Sequence, residues 1–284
     1  MVILVTGSSG QLGQSLKSIS ANYSGCRFHF ADSVEADITN KNSLNTIFNN
    51  IKPDYCVNAA AYTAVDKAES EPEKANLINV IGARNLAETC HAYNTVLIHI
   101  STDFVFDGSK NTPYNETDVT NPQGVYGQTK RDGELEITAI LKKHYIIRTS
   151  WLYSAFGNNF MKTILRLSQE RNELNVVNDQ IGTPTHAVDL ADAVLQIIKF
   201  HSKNQANALF GIYNFSNEGK ASWYDFAREI FRLHNVSINL QPILTAQYPT
   251  PAKRPEYSVL DKSKIKKAFA IPIDSWEDAL KKHA

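Results

Sequence analysis

Tyr126 and Lys130 stand four residues apart in the segment YGQTK, a spacing that puts both side chains on one face of a helix. A phenol beside an ammonium is an acid–base pair. The cation stabilises the phenolate and brings a donor whose free pKa is about 10 closer to neutral work. Far upstream, residues 2–16 read VILVTGSSGQLGQSL: a short apolar run, a turn carrying Gly7, Gly10 and Gly13, then the start of a helix. Glycines permit positive φ and remove the Cβ that would hold a ligand off the backbone, and the N–H groups of a helix N-terminus attract phosphate. Asp32 follows Gly13 by nineteen residues, at the end of a second strand-like segment, CRFHFAD. Dinucleotide folds place a ribose-binding carboxylate there, although Asp serves equally well as a cap or turn residue. The two motifs together point to hydride chemistry on a nicotinamide.

The elements that must position these residues alternate through the first half of the chain. Val2 to Val5 is the mostly β-branched run of a strand covered on both faces. A second strand near 26–31, a helix near 41–50 capped by Thr39 or Asn40, and a third strand in DYCVNAAA follow. Pro72 opens a helix reaching residue 92, VLIHIS is the next strand, the Tyr–Lys helix follows the loop 107–124, and HYIIRTSWLY contains a further strand. Beyond Trp151 the rhythm loosens into a helix near 158–171, the strand-like LNVVND, the helix AVDLADAVLQIIKF and one more sheet strand in GIYNFSN. An amphipathic helix from Ser222, a proline-rich loop with Pro242, Pro249, Pro251 and Pro255, and a final helix close the chain. The expected fold is α/β: a Rossmann-type, doubly wound parallel sheet with a smaller C-terminal α/β substrate-binding lobe. The division expected is 1–150 plus about 186–217 for the dinucleotide half, and 151–185 with 218–284 for the lobe.

Composition narrows the class. Twenty-nine Lys and Arg balance 29 Asp and Glu, which removes the electrostatic footprint of a nucleic-acid or membrane-surface binder. No apolar stretch approaches the roughly 18 residues that cross a bilayer, and the N-terminal run lacks the flanks of a secretory signal, so the reading is cytoplasmic. Cys26, Cys56 and Cys90 are odd in number and widely spaced, the pattern of free thiols. The eight His form no HxxxH pair, and no metal site is expected.

VTGSSGQLG, VNAAAYTAVDKAESEP, STDFVFDG, VYGQTK, RTSWLY, GNNF, NDQIGTPT and YPTPAKRPEYSVLD occur in that order. On these segments, which span nearly the whole chain, the sequence resembles the dTDP-4-dehydrorhamnose reductases of the extended short-chain dehydrogenase/reductase superfamily. The resemblance implies reduction of the 4-keto group of dTDP-4-dehydro-L-rhamnose by NADPH or NADH, for cell-surface polysaccharide. It implies a small sugar nucleotide as partner, with Tyr126 as proton donor, Lys130 also holding the nicotinamide ribose, and Thr102 as a second hydrogen bond to the reacting oxygen. It further implies Gly10, Gln11 and Leu12 at the pyrophosphate, Asp32 at the adenosine ribose, and Asp37 with Ile38 beside the adenine. Ala61, Tyr62 and Thr63 would line the cofactor path. Asp103 and Trp151 would contact the sugar, the indole covering its apolar face, and Arg254 would meet the substrate pyrophosphate.

Departures from the family pattern also carry expectations. Where some members join two subunits through magnesium, this chain has Ser15 and Val188 and keeps only Glu277, so magnesium is not expected to be required and a monomer or weak homodimer follows. Phe104 replaces a commoner Tyr, and Tyr62 stands where His is familiar. Two alternatives share the cradle. A sugar-nucleotide epimerase or dehydratase is one, but the dehydratases carry an acidic pair directly after the active-site Thr, and here Asp103 is followed by Phe104. A non-catalytic regulatory subunit resembling the methionine adenosyltransferase beta subunit is the other, and the intact Thr102, Tyr126, Lys130 set speaks against it.

Overall fold

The computed structural model describes residues 1–283. Strands β1 (Val2–Thr6), β2 (Arg27–Ala31), β3 (Tyr55–Asn58), β4 (Val96–Thr102) and β5 (His144–Thr149) alternate with helices α1 (Gln11–Ile19), α2 (Lys41–Ile51), α3 (Gly82–Ala92) and α4 (Val125–Ile140). Helix α5 (Phe160–Glu170), β6 (Glu173–Val177), α6 (Ala187–Lys203), β7 (Gly211–Asn214), α7 (Trp223–Leu233), β8 (Asn239–Ile243), α8 (Ser263–Phe269) and α9 (Trp276–His283) complete the main elements. Six strands form one parallel sheet in the order β7-β5-β4-β3-β1-β2. Strand order reverses beside β1, and in open sheets of this kind ligands gather outside the strand carboxyl ends at the reversal.

Both faces of the sheet are covered, which is why its strands read as nearly continuous apolar runs. Ile3, Val5, Val57 and Ile147 pack with Leu190, Val194 and Ile198 of α6 on one face. Leu4, Cys56, Leu97 and Ile146 pack with Phe48, Leu86 and Ile137 on the other. A separate core, with Tyr153, Ile164, Leu174, Phe226 and Trp276, joins α5, β6, α7 and α9 in the smaller lobe. Caps start the helices where the sequence offers them. The Asn40 side chain accepts from the Asn42 and Ser43 amides, and Ser222 forms a reciprocal capping box with Asp225.

Three expectations need correction. The helix expected over 72–92 is interrupted: Pro72–Asn76 is α-helical, Leu77–Ile81 takes a wider π turn, and α3 follows. Asn79 lies in that turn, its amide clamped to both backbone groups of Tyr62 and to the Thr129 hydroxyl. The proline-rich loop contains a strand, because β8 pairs in parallel with β6 in a two-stranded ribbon, where Pro242 deprives no central ladder of a donor. The final helix is two, α8 and α9, broken at Ala270, whose φ of 54° is left-handed.

The helix carrying the Tyr–Lys motif is pinned to the sheet by charge. Arg148 of β5 donates through Nε and Nη2 to the two carboxylate oxygens of Glu134 on α4, at 2.9 and 2.6 Å. Ser101 of β4 donates to the same carboxylate. Both charged side chains are almost wholly buried. Removing one partner would leave the other charge unpaired in the interior, so Glu134→Ala is expected to cost roughly 3–5 kcal/mol of stability. Glu170→Ala, which breaks an exposed pair with Arg166, should cost less than about 1 kcal/mol. Urea unfolding of both variants at pH 7 checks this, and equal small losses would remove the buried pair from its anchoring role.

Candidate active site

A cleft of about 650 Å³ opens at the carboxyl ends of β1, β3, β4 and β5 and is closed on its far side by the smaller lobe. This volume suits a small organic ligand. Depressions of about 680 and 760 Å³ lie at the opposite ends of the strands, around Met1 and Tyr55, away from the glycine turn.

The floor of the cleft is the turn between β1 and α1. Gly7 has a φ of +69°, a conformation that side chains rarely adopt. Gly13 lets α1 sit directly on the turn, since a Cβ there would lie 2.5 Å from the Gly7 carbonyl oxygen. Gly10, Gln11 and Leu12 face the cleft. Gly10 occupies the helix cap and no side chain satisfies the first amides of α1, which leaves them for an anion. The Gln11 side-chain carbonyl also accepts from Ser154 and Asn159, tying α1 to the smaller lobe.

Helix α4 and the end of β4 form one wall. Tyr126, Lys130, Thr102 and Asp103 all line it, with Ala61 and Thr63 from the segment after β3. Burial pushes the Tyr126 phenol up to about 12, against the neighbouring Thr102 hydroxyl and with help from the Asp103 charge. The same desolvation pulls Lys130 down to about 8, against the pull of Glu134. Lys130 Nζ donates to the Ile100 carbonyl at 2.6 Å. Phe104 meets Tyr126 edge to face at 5.5 Å, so the phenyl ring that stands in place of a Tyr packs against the phenol. Asp103 is 1% exposed, and its Oδ2 has no partner in hydrogen-bond geometry. Burial pushes its carboxyl up to about 6, against hydrogen bonds from Ser258 and Thr102.

Trp151 forms the lobe side of the cleft with Trp223, the two indoles stacked at 3.5 Å and 7°. Trp151 has a left-handed backbone, φ 45°, and Gly182 packs so closely on its ring that a Cβ there would lie 2.5 Å from the indole. The ring is thus held between Trp223 and the Gly182 backbone. Trp151 nonetheless remains partly exposed and lines the cleft together with Trp223. Arg254 also reaches the cleft, but its fork is engaged: Nη1 and Nη2 donate to Asp66 at 3.0 and 2.8 Å. That guanidinium holds the Asp66 carboxyl below the usual carboxylate range.

Several residues named from sequence lie outside the cleft wall. Asp32 follows β2 beside the glycine turn, where Thr6 pairs with Ala31, and its Oδ1 accepts the Val34 and Glu35 amides. Asp37 accepts from the Thr39 amide and hydroxyl. Ile38 is buried, and the Tyr62 hydroxyl turns away to Glu71 at 3.0 Å. Ser15 is buried and donates to the Gln11 carbonyl, while Val188 begins α6 and Glu277 lies on α9. One His–Asp group occurs elsewhere: His186, Asp189 and His283 bring ligand atoms within 4.8 Å of one another. Its rings stack at 3.7 Å and His186 Nδ1 accepts the Val188 amide, an arrangement of packing and capping. Sequence reasoning passed over Asn58, Asp66, His99 and Trp223. Only His99, a polar residue inside the apolar run VLIHIS, carried a signal.

A glycine-turn cradle continuous with a Thr–Tyr–Lys wall and facing a small lobe defines a dinucleotide-dependent oxidoreductase of the extended short-chain type. The chain matches the family described as the RmlD substrate binding domain over residues 1–284. A dTDP-4-dehydrorhamnose reductase from Aggregatibacter actinomycetemcomitans is 44% identical over 98% of this chain and 97% of its own. The crystal structure of a dTDP-4-dehydrorhamnose reductase from Clostridium acetobutylicum superposes with a TM-score of 0.94 at 41% identity, covering 100% of this chain and 98% of that one. Another, from Bacillus anthracis in complex with NADP, gives 0.93 at 37% identity over 99% and 98%. The chain belongs to the dTDP-4-dehydrorhamnose reductase family.

The buried carboxyl supplies a pH test. Because the folded value of Asp103 lies above its ordinary 3.8, its contribution to stability is complete below about pH 4 and is lost as pH rises through about 6. Denaturant unfolding between pH 4 and 8 should therefore show the protein losing on the order of 2–3 kcal/mol that Asp103→Asn does not lose. Parallel profiles would mean that this carboxyl does not titrate in the cleft wall.

Proposed function

We propose that the protein reduces the 4-keto group of dTDP-4-dehydro-β-L-rhamnose to dTDP-β-L-rhamnose, using NADPH or NADH. The observation that carries this reading is the continuity of one cleft from the bare amides of α1 to Thr102, Tyr126 and Lys130. Family membership and the NADP complex of the B. anthracis relative support it. A reduced dinucleotide whose pyrophosphate rests on the glycine turn would supply hydride to the carbonyl carbon.

The protein's own groups answer the charge that then grows on the carbonyl oxygen. Thr102 and Tyr126 donate hydrogen bonds to it, and Tyr126 passes its proton to the new alkoxide. Lys130 stabilises the phenolate left behind. Gly10, Gln11 and Leu12 hold the pyrophosphate, and the walls at Ala61 and Thr63 continue that path. Asp32 meets the ribose, with Asp37 and Ile38 by the adenine, and Tyr62 belongs with Ala61 and Thr63 to the cofactor path. On the substrate side Asp103 orients the sugar, the Trp151–Trp223 pair bounds its apolar part, and Arg254 exchanges Asp66 for a substrate phosphate. Residues 1–150 and 186–217 serve the dinucleotide, and 151–185 with 218–284 the sugar nucleotide. Among the described residues no helix is long and apolar enough to cross a membrane.

Tyr126→Phe is expected to lower kcat by about 10²- to 10⁴-fold with NADPH affinity close to that of the parent. Single-turnover oxidation of NADPH with the 4-keto sugar nucleotide, beside a fluorescence titration of NADPH alone, separates the two. Parent-like turnover in the variant would sink the assignment. With Ser15 and Val188 in place of acids, we also infer that assembly is independent of magnesium. Sedimentation should give the same monomer or weak dimer with and without a chelator, and a dimer that dissociates when magnesium is stripped would overturn this.

A further inference from the structure

Behind the cleft, a buried polar chain runs from β1 across β3 to β4 and ends on Lys130. Thr6, Asn58 and His99 are each no more than 1% exposed. The Thr6 hydroxyl donates to Asn58 Oδ1 at 2.8 Å, and the Ala60 backbone amide donates to the same oxygen at 3.2 Å. A backbone N–H can only donate, so the Asn58 side chain has one orientation, with Nδ2 turned to His99 Nδ1 at 2.9 Å. Facing a donor, Nδ1 must be the bare nitrogen, and the single proton of a neutral ring sits on Nε2. That nitrogen faces Lys130 Nζ at 3.4 Å. An ammonium offers only hydrogens to an N–H, whereas an amine offers a lone pair.

We propose that His99 is a positioning residue for Lys130: fixed by Thr6 and Asn58 as the Nε2–H tautomer, it favours the amine of the ligand-free enzyme and makes dinucleotide binding draw a proton onto Lys130. The ribose hydroxyls of a dinucleotide can accept, and would add to the single carbonyl, Ile100, that the protein offers to Nζ. Burial already holds Lys130 down to about 8, and desolvation keeps the His99 imidazolium well out of reach. The other charged and titratable groups around Lys130 do not cancel the effect. Glu134 on the same helix is committed to Arg148 of β5 and to Ser101. Tyr126 is a neutral phenol, His144 of β5 is also disfavoured as a cation, and Asp103 follows β4 with its carboxyl raised. Glu69 is spent on the Val125 amide at the start of α4.

This rests on the reductase reading only through the dinucleotide, so the test has two arms. In the unaltered, ligand-free protein, nitrogen NMR of labelled histidine should find His99 with a bare Nδ1 and a protonated Nε2 from pH 6 to 9. A protonated Nδ1 would overturn the proposal whatever the enzyme reduces. Calorimetric titration of NADPH in buffers of different ionisation enthalpy should show uptake of about half a proton per site near pH 8. In His99→Gln, whose carbonyl can turn to Nζ and accept from the ammonium, that uptake should fall at least about twofold at pH 8, with its maximum displaced upward by about one pH unit. Equal uptake in both proteins would overturn the proposal. Failure of NADPH to bind the parent at all would instead remove the reductase reading, with the tautomer arm still deciding what His99 does.

Discussion

Arg148 and Glu134 fix where the Tyr–Lys helix can lie. Taking two charges out of water is costly, and the cost is recovered only when nearly every hydrogen-bonding site finds a partner. Here Glu134 accepts twice from Arg148 and once from Ser101, while Arg148 also reaches the Glu116 carbonyl and lies 5.1 Å over the Phe106 ring. A slip of α4 by one turn along the sheet would strand both charges, so the register of the helix is a single deep minimum. Tyr126, two turns from Glu134, is thereby delivered to the carboxyl end of β4 beside Thr102. The placement of Tyr126 is set from below, by a buried ion pair outside the residues that line the cleft.

One cause runs through the electrostatics of the cleft. Tyr126 is pushed up, Lys130 pulled down and Asp103 pushed up, in each case first by removal from water. Each group is therefore held away from its charged form. Such a wall has weak fields of its own and responds strongly to charge that a reaction creates, because the local dielectric is low and the donors are already aimed.

Much of this was legible in the sequence where it was local. The glycine turn, the helix of Tyr126 and Lys130, the helix capped at Thr39 or Asn40, the amphipathic helix from Ser222 and the strand in GIYNFSN all follow from spacing and periodicity within about fifteen residues. What escaped depends on partners distant in the chain. The π turn at 77–81 is clamped by Asn79 to Tyr62 and Thr129, and the strand containing Pro242 exists because Glu173–Val177 lies beside it. The packing of Trp151 against Trp223 and Gly182 likewise joins residues far apart in the chain. Three-dimensional neighbours decided these cases, and local pattern carries no record of them.

Arg254 illustrates what a neighbour changes. A guanidinium waiting in water for a diphosphate would gain a full ion pair on binding. One that already holds Asp66 through two hydrogen bonds gains only the difference between two ion pairs, and the released carboxylate remains close by. The net attraction is small for a weak or singly charged anion and becomes appreciable only for one that outcompetes a carboxylate in both charge and geometry. Were Arg254 to meet the substrate phosphates, its contact with Asp66 would act as a threshold on the ligand's charge, set by the resting partner of the arginine as much as by the arginine itself.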